Sequence, residues 1–138
     1  VHTLGDTRVI LCKPTTYMNL SGESAQAVQR FYRVYNPETL VVYDELDIPF
    51  GQIRTRVGGS ASGHNGVRSL IQHLGDDFAR LRIGIGSENS AKADSSAFVL
   101  GRFTSSEQEA IPLVLREVSS LISDFLAGNF QVETRALI

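Results

Sequence analysis

The chain has 138 residues, 42% of them hydrophobic, with 13 basic against 15 acidic side chains, three histidines and one cysteine. That length suits one domain able to bury roughly two-thirds of its surface. Cys12 has no partner for an internal disulfide, and no Cys/His pair stands at zinc spacing, which points to a reducing compartment and no structural metal. The net charge of -2 excludes coating of nucleic acid by bulk attraction, and no apolar run of about 18 residues is long enough to span a bilayer. The expectation is a cytoplasmic protein without cofactor or metal. The sequence begins at Val1, inside a strand-like stretch, which suggests a removed leader or the missing front of a longer protein.

Val1 to Leu4 and Thr7 to Cys12 are β-prone runs around Gly5-Asp6 and predict a hairpin. Ser21-Gly22-Glu23-Ser24 offers N-cap chemistry for a helix through Ala25, Val28, Phe31 and Tyr32, stopped by Asn36-Pro37. Thr39 to Tyr43 is a compact β-branched run that predicts a buried strand, with Asp44 to Asp47 following at its C-terminal end. Gln52 to Val57 alternates as a strand does, with Arg54 and Arg56 on one side. The glycine-rich segment Gly58 to Gly66 leads into a helix marked by Val67, Leu70, Ile71 and Leu74 and stopped by Gly75. Phe78 to Gly86 alternates again, Ser87 to Ser96 is a polar loop, and a last amphipathic helix starts near Ser105 or Ser106 and ends near Gly128, with Ser106 and Glu109 as a capping box. Strands alternating with helices predict an α/β fold, a single domain over residues 1–138 with a mixed β-sheet flanked by helices.

Tyr17 to Gly22, Asp44 to Asp47 and Gly58 to Gly66 combine polar residues with element junctions, and in this fold class such loops converge on one edge of the sheet. The glycine-rich loop could cradle an anion on successive N–H groups, but it matches neither a P-loop nor a dinucleotide fingerprint. His64 admits two readings: a general base oriented by Asp44, or a side chain that caps the helix. His73 reads as a surface residue. The acids Asp44, Glu45 and Asp47 form either a carboxylate cluster or a solvated turn. From Gly51 to Gly86 five arginines stand against two acids, and Arg56 and Arg82 could share one side of the sheet, where their planar forks suit phosphate oxygens.

Five stretches together resemble the bacterial-type peptidyl-tRNA hydrolase family: Lys13 to Gly22 (KPTTYMNLSG), Val42 to Pro49 (VYDELDIP), Gly58 to Gly66 (GGSASGHNG), Arg80 to Gly86 (RLRIGIG) and Phe98 to Gly101 (FVLG). They follow the family's order and spacing over nearly the whole chain. The resemblance implies a single α/β domain that hydrolyses, without a metal, the ester joining a peptide to the 3′ end of tRNA. It makes Asp44 the carboxylate that orients a catalytic histidine, and Asn19 the amide that holds the substrate carbonyl or the attacking water. Asn65 is then the amide that positions water, Tyr17 an aromatic at the tRNA 3′ end, His64 a residue of the peptide channel rather than the base, and Arg56 and Arg82 a clamp on the 5′ phosphate. A monomer is expected.

The sequence departs from the family at its front. The GLGNPG-like strand end and the TRHN-like motif with the general-base histidine are absent, so the resemblance implies that a central strand and the base belong to a preceding segment. Ser60, Ala61 and Ser62 replace residues that are commonly glycine or histidine, which would stiffen the loop. The alternatives to an ester hydrolase are an RNA-binding protein of the same fold, an inactive fragment of the enzyme, or a chain in which His64 or a partner replaces the base.

Overall fold

The computed structural model describes residues 1–87 and 98–138, so residues 88–96 of the expected polar loop lie outside the described residues. The described residues fall into two compact units, Val1–Thr39 with Gly58–Phe78, and Leu40–Val57 with Ala79–Ile138.

In the first unit, β1 (His2–Leu4) and β2 (Thr7–Val9) form the expected hairpin, with Leu4 opposite Thr7. The turn needs a residue of positive φ, and Gly5 supplies it at +59°. A 3₁₀ turn (Met18–Leu20) runs directly into α1 (Ser21–Tyr32). The serines do not cap α1 as the sequence suggests. The cap residue is Leu20, without a side-chain bond, and the Ser21 hydroxyl donates to the Met18 carbonyl at 2.7 Å. The orphan N–H of Gly22 is instead met by the Ser69 hydroxyl at 2.9 Å, from a helix 47 residues away. Only glycine permits this approach, since a Cβ at position 22 would collide with the Ser69 carbonyl.

Helix α1 ends at Tyr32 rather than at Asn36-Pro37, because Arg33 turns left-handed (φ 57°, ψ 48°) and sends its N–H back to the Gln29 carbonyl. Asn36–Glu38 is a separate 3₁₀ turn. The Asn36 amide donates to the Leu74 carbonyl at 2.7 Å and so satisfies the last turn of α2 (Asn65–Leu74). Helix α2 buries Val67, Ser69 and Leu70 and stops at Gly75, φ +84°. His73 is not the surface residue expected: it is half-buried, with Nδ1 2.8 Å from the Ser69 carbonyl.

In the second unit, β3 (Leu40–Pro49), β4 (Gln52–Val57), β5 (Ala79–Gly86) and β6 (Thr134–Ala136) form a mixed sheet in the order β3-β5-β4-β6. Strands β3 and β5 are parallel and the other pairs antiparallel. Strand β3 is longer than the sequence suggests: Asp44 to Asp47 lie inside it rather than beyond its end. The ladder absorbs an irregularity between Glu45 and Pro49. Gly84 and Gly86 allow the close approach there, since a Cβ on either would run into carbonyls of Pro49, Ile48 or Leu46.

Helix α3 (Ser105–Leu126) opens on a capping box, but two residues earlier than Ser106 and Glu109: Thr104 and Glu107 exchange bonds at 3.2 and 2.8 Å. Its stripe Val114, Val118 and Leu121 packs on Ile53 and Leu81, with Leu40, Ile83, Ile122 and Leu137 around them. Full burial of a side chain such as Leu81 or Leu121 contributes about 1.5–3 kcal/mol. Because a strand alternates its side chains, this covered face fixes what the opposite face carries.

Strand β6 is stitched on by Thr55, which is 2% exposed. Its hydroxyl donates to the Gln131 carbonyl at 2.6 Å and accepts from the Glu133 N–H at 2.9 Å. Among the described residues, no helix is long and apolar enough to cross a membrane.

Candidate functional site

Two of the three segments singled out by sequence meet within the first unit. The Met18 thioether lies against Gly66, where any Cβ would overlap the sulfur. This contact sets the Tyr17–Leu20 turn beside the first turn of α2. Tyr17 is 82% exposed, and Asn19 and Asn65 are exposed as well. Both amides are therefore open to solvent on adjoining pieces of backbone, each with donors and an acceptor.

His64 is the N-cap of α2, its Nδ1 accepting from the Val67 N–H at 3.2 Å. An imidazole that accepts at Nδ1 carries its proton at Nε2, which is then a donor rather than a base. The capping reading of His64 is the one observed. Ser62, in the same loop, holds φ +49°, a conformation that costs a non-glycine residue about 1 kcal/mol.

The third segment belongs to the second unit. Asp44 is partly exposed on β3 and pairs with Ile83. It shares the sheet face of Ile83 and Leu81, the face toward α3. Arg56 and Arg82 stand on the other face, so within this unit the structure separates Asp44 from the arginines. It does bring Arg56 and Arg82 to the same face, as expected, but as diagonal neighbours. The residue directly across from Arg82 is Arg54, and the residue across from Arg56 is Arg80.

The four arginines differ in environment. Arg80 is fully buried at 0% exposure and hydrogen-bonded to the Tyr43 phenol, the partner of Arg82 on β3. Burial raises the Tyr43 pKa, against the lowering effect of Arg80 and Arg82. Burial likewise lowers the Arg82 pKa; Tyr43 and Glu45 oppose that shift, while Arg56 and Arg54 add to it. Arg54, Arg56 and Arg82, with Val132, Glu133 and Thr134, line an open cleft of about 540 Å³. Glu133 is taken up by Arg135, whose Nε donates to it at 2.8 Å while Nη1 reaches Glu117 at 3.0 Å. Burial of Arg135 works against its charge, yet the bonds to Glu117 and Glu133 hold its pKa above the ordinary value.

Two residues of these clusters were given no site role from the sequence, although Arg54 was placed beside Arg56 and Met18 fell within the Tyr17 to Gly22 segment. Arg54 was legible in the alternation of β4, since residues two apart share a face. Met18 carries no sequence signal for its role, which depends on the glycine it rests against. Among the described residues, no group of three or more His, Cys, Asp or Glu side chains is placed to hold a metal ion.

The peptidyl-tRNA hydrolase family model matches residues 1–137. A peptidyl-tRNA hydrolase of Gloeobacter violaceus is 53% identical over 125 residues, covering 90% of this chain and 63% of the relative. One from Lachnoclostridium phytofermentans is 43% identical over 130 residues, covering 94% and 68%. The crystal structure of the Acinetobacter baumannii enzyme superposes with a TM-score of 0.73 at 38% identity, over 83% of this chain and 58% of that one. A peptidyl-tRNA hydrolase complexed with N-propanol gives 0.75 at 39% identity, with the same coverage. The chain thus spans about three-fifths to two-thirds of the length of the proteins it matches.

Proposed function

The chain belongs to the peptidyl-tRNA hydrolase family, and on that premise we propose that it acts in hydrolysis of the ester joining a peptide to the 3′ end of tRNA. The observation that carries this reading is the juxtaposition in the first unit of Tyr17 and Asn19 with His64 and Asn65, held by Met18 on Gly66. An ester carbonyl that turns tetrahedral needs hydrogen-bond donors aimed at the developing oxyanion, and the attacking water needs an acceptor. Asn19 donates to the substrate carbonyl, while Asn65 accepts from the water and positions it. His64, fixed by its cap bond to Val67, presents Nε2–H as a donor to the peptide chain. Tyr17 offers an exposed ring on which an unpaired base of the tRNA end can stack.

The general base in this reading is a histidine outside residues 1–138, oriented by Asp44. The chain's own histidines fit the role poorly: the Nδ1 atoms of His64 and His73 are engaged with backbone, and His2 is exposed on the hairpin. Arg56 and Arg82 bind the 5′ phosphate of the tRNA. The protein works in the cytoplasm, as a monomer and without a metal.

The test is release of a labelled N-acyl-aminoacyl group from tRNA by the chain alone and by a chimaera carrying the front segment of the Gloeobacter relative. The chimaera should be active, and Asp44→Asn or Asn65→Ala should each lower its kcat at least about 100-fold. An inactive chimaera that still binds tRNA would favour the RNA-binding reading. Activity of the chain alone that vanishes on His64→Ala would make His64 the base.

A further inference from the structure

An asparagine can be lost to its own backbone, because the N–H nitrogen of the following residue is placed to attack the side-chain amide carbon. Of the five asparagines in the sequence, only Asn65 is followed by glycine. Glycine has no Cβ to shield its nitrogen, so this dipeptide is the one most open to attack. The Gly66 nitrogen loses its proton and bonds to Cγ of Asn65, the Cγ–Nδ2 bond breaks, and ammonia leaves with that proton. One water then opens the five-membered imide at either carbonyl, which leaves aspartate or isoaspartate at position 65.

The packing explains why the chain keeps so labile a pair. A Cβ at position 66 would stand 2.5 Å from the Met18 sulfur and 3.1 Å from Cε1 of His64, so glycine is what lets the Tyr17–Leu20 turn rest on α2. Asn65 is exposed to the water that the reaction consumes. Its need for an amide rests on the proposed function. The reaction does not, since it requires only the dipeptide and a backbone free to turn.

What opposes ring closure is the helix. The imide needs the Gly66 nitrogen in plane with the Cα–Cβ bond of Asn65, whereas a helical ψ of about −42° turns that nitrogen away. Asn65 and Gly66 are the first two residues of α2, where a helix holds its backbone with the fewest bonds. His64 closes that turn twice over: Nδ1 accepts from the Val67 N–H at 3.2 Å, and the carbonyl accepts from the Arg68 N–H at 3.0 Å. Its own N–H donates to the Ala61 carbonyl at 2.9 Å, which ties the cap residue to the loop before it.

We propose that Asn65–Gly66 is a site of spontaneous deamidation, and that the side-chain cap of His64 sets its rate by holding the first turn of α2 helical. Conversion proceeds through the fraction of molecules in which that turn is open. Aspartate would put a carboxylate where the amide donates, and isoaspartate would route the chain through the side chain, adding a methylene to the first turn of α2.

The experiment follows isoaspartate at residue 65 by peptide mapping as the 138-residue chain is incubated at one pH and temperature, folded or unfolded in guanidinium chloride. The folded parent should convert at least about tenfold more slowly than the unfolded chain. His64→Ala should raise the folded rate about fivefold, the factor set by loss of one cap, while His64→Ser, which keeps an acceptor for the Val67 N–H, should stay within about twofold of the parent. A folded parent as fast as the unfolded chain overturns the protection. Equal rates in the parent and His64→Ala, or in His64→Ser and His64→Ala, overturn the cap as its source. A second measurement needs no variant and decides the matter if His64→Ala unfolds as a whole: hydrogen exchange at the Val67 N–H of the parent should be slowed by the same factor as conversion of Asn65, within about threefold. Slow conversion beside an unprotected Val67 N–H removes the cap from the account.

Discussion

In the first unit, polar side chains answer backbone groups at the ends of elements: His64 closes the start of α2, Ser69 closes the start of α1, and Asn36 closes the end of α2. In the second unit the prominent polar side chains are charged and stand on the sheet itself, either matched, as Arg135 is by three acids, or set opposite one another, as Arg54 is to Arg82. Short neutral contacts with the backbone fix geometry and respond little to salt. Charges on an open face act over a Debye length and respond strongly. On the proposed function, the first unit would orient the reacting group and the second would hold the polyanion.

The comparison is broken most severely at Gly22. Gly22→Ala drives a Cβ into the Ser69 carbonyl, and should cost about 3 kcal/mol in urea unfolding; a cost under about 1 kcal/mol would mean that α1 and α2 can part without loss. Next comes Arg135→Met, which strands Glu117 and Glu133 with less than a third of their side chains exposed. It should cost about 2 kcal/mol at low ionic strength and clearly less at about 1 M salt. An effect independent of salt would show that Arg135 acts by packing. Ser69→Ala removes the acceptor for the Gly22 N–H and should cost about 1 kcal/mol, equally at both salt concentrations. The smallest effect has the opposite sign: Arg33→Gly relieves a left-handed residue and should stabilise by about 0.5 kcal/mol in the thermal midpoint series, where a loss would mean that the arginine side chain outweighs its backbone strain.

What was legible in the sequence is what depends on near neighbours. The alternation of Gln52 to Val57 and of Phe78 to Gly86 pointed to both strands, observed at Gln52–Val57 and Ala79–Gly86, and to the shared face of Arg56 and Arg82, because side-chain direction repeats every two residues. The Gly5-Asp6 turn was legible for the same local reason. What was not legible depends on distant partners. The cap of α1 comes from Ser69, 47 residues on, so the serines beside the helix misled. Strand β3 continues through four residues that look like a turn because Gly84 and Gly86, some 40 positions later, leave room for it. Arg33 ends α1 without glycine or proline, and no local pattern announces that. In the candidate site, the identities of Tyr17, Asn19, His64 and Asn65 were readable, but the contact of Met18 with Gly66 that gathers them was not.

The stitch between Thr55 and Glu133 joins residues 78 positions apart. During synthesis, at about 5–20 residues per second, β4 therefore waits on the order of 4–16 s for the strand that will cover its outer edge. An uncovered strand of this kind is a template for other nascent chains unless it carries charge. Arg54 and Arg56 lie on that strand from the moment it emerges. The residues that later make the cleft cationic thus also act as gatekeepers in the nascent chain, and replacing both with neutral side chains would be felt first as lost soluble yield, before any ligand is offered.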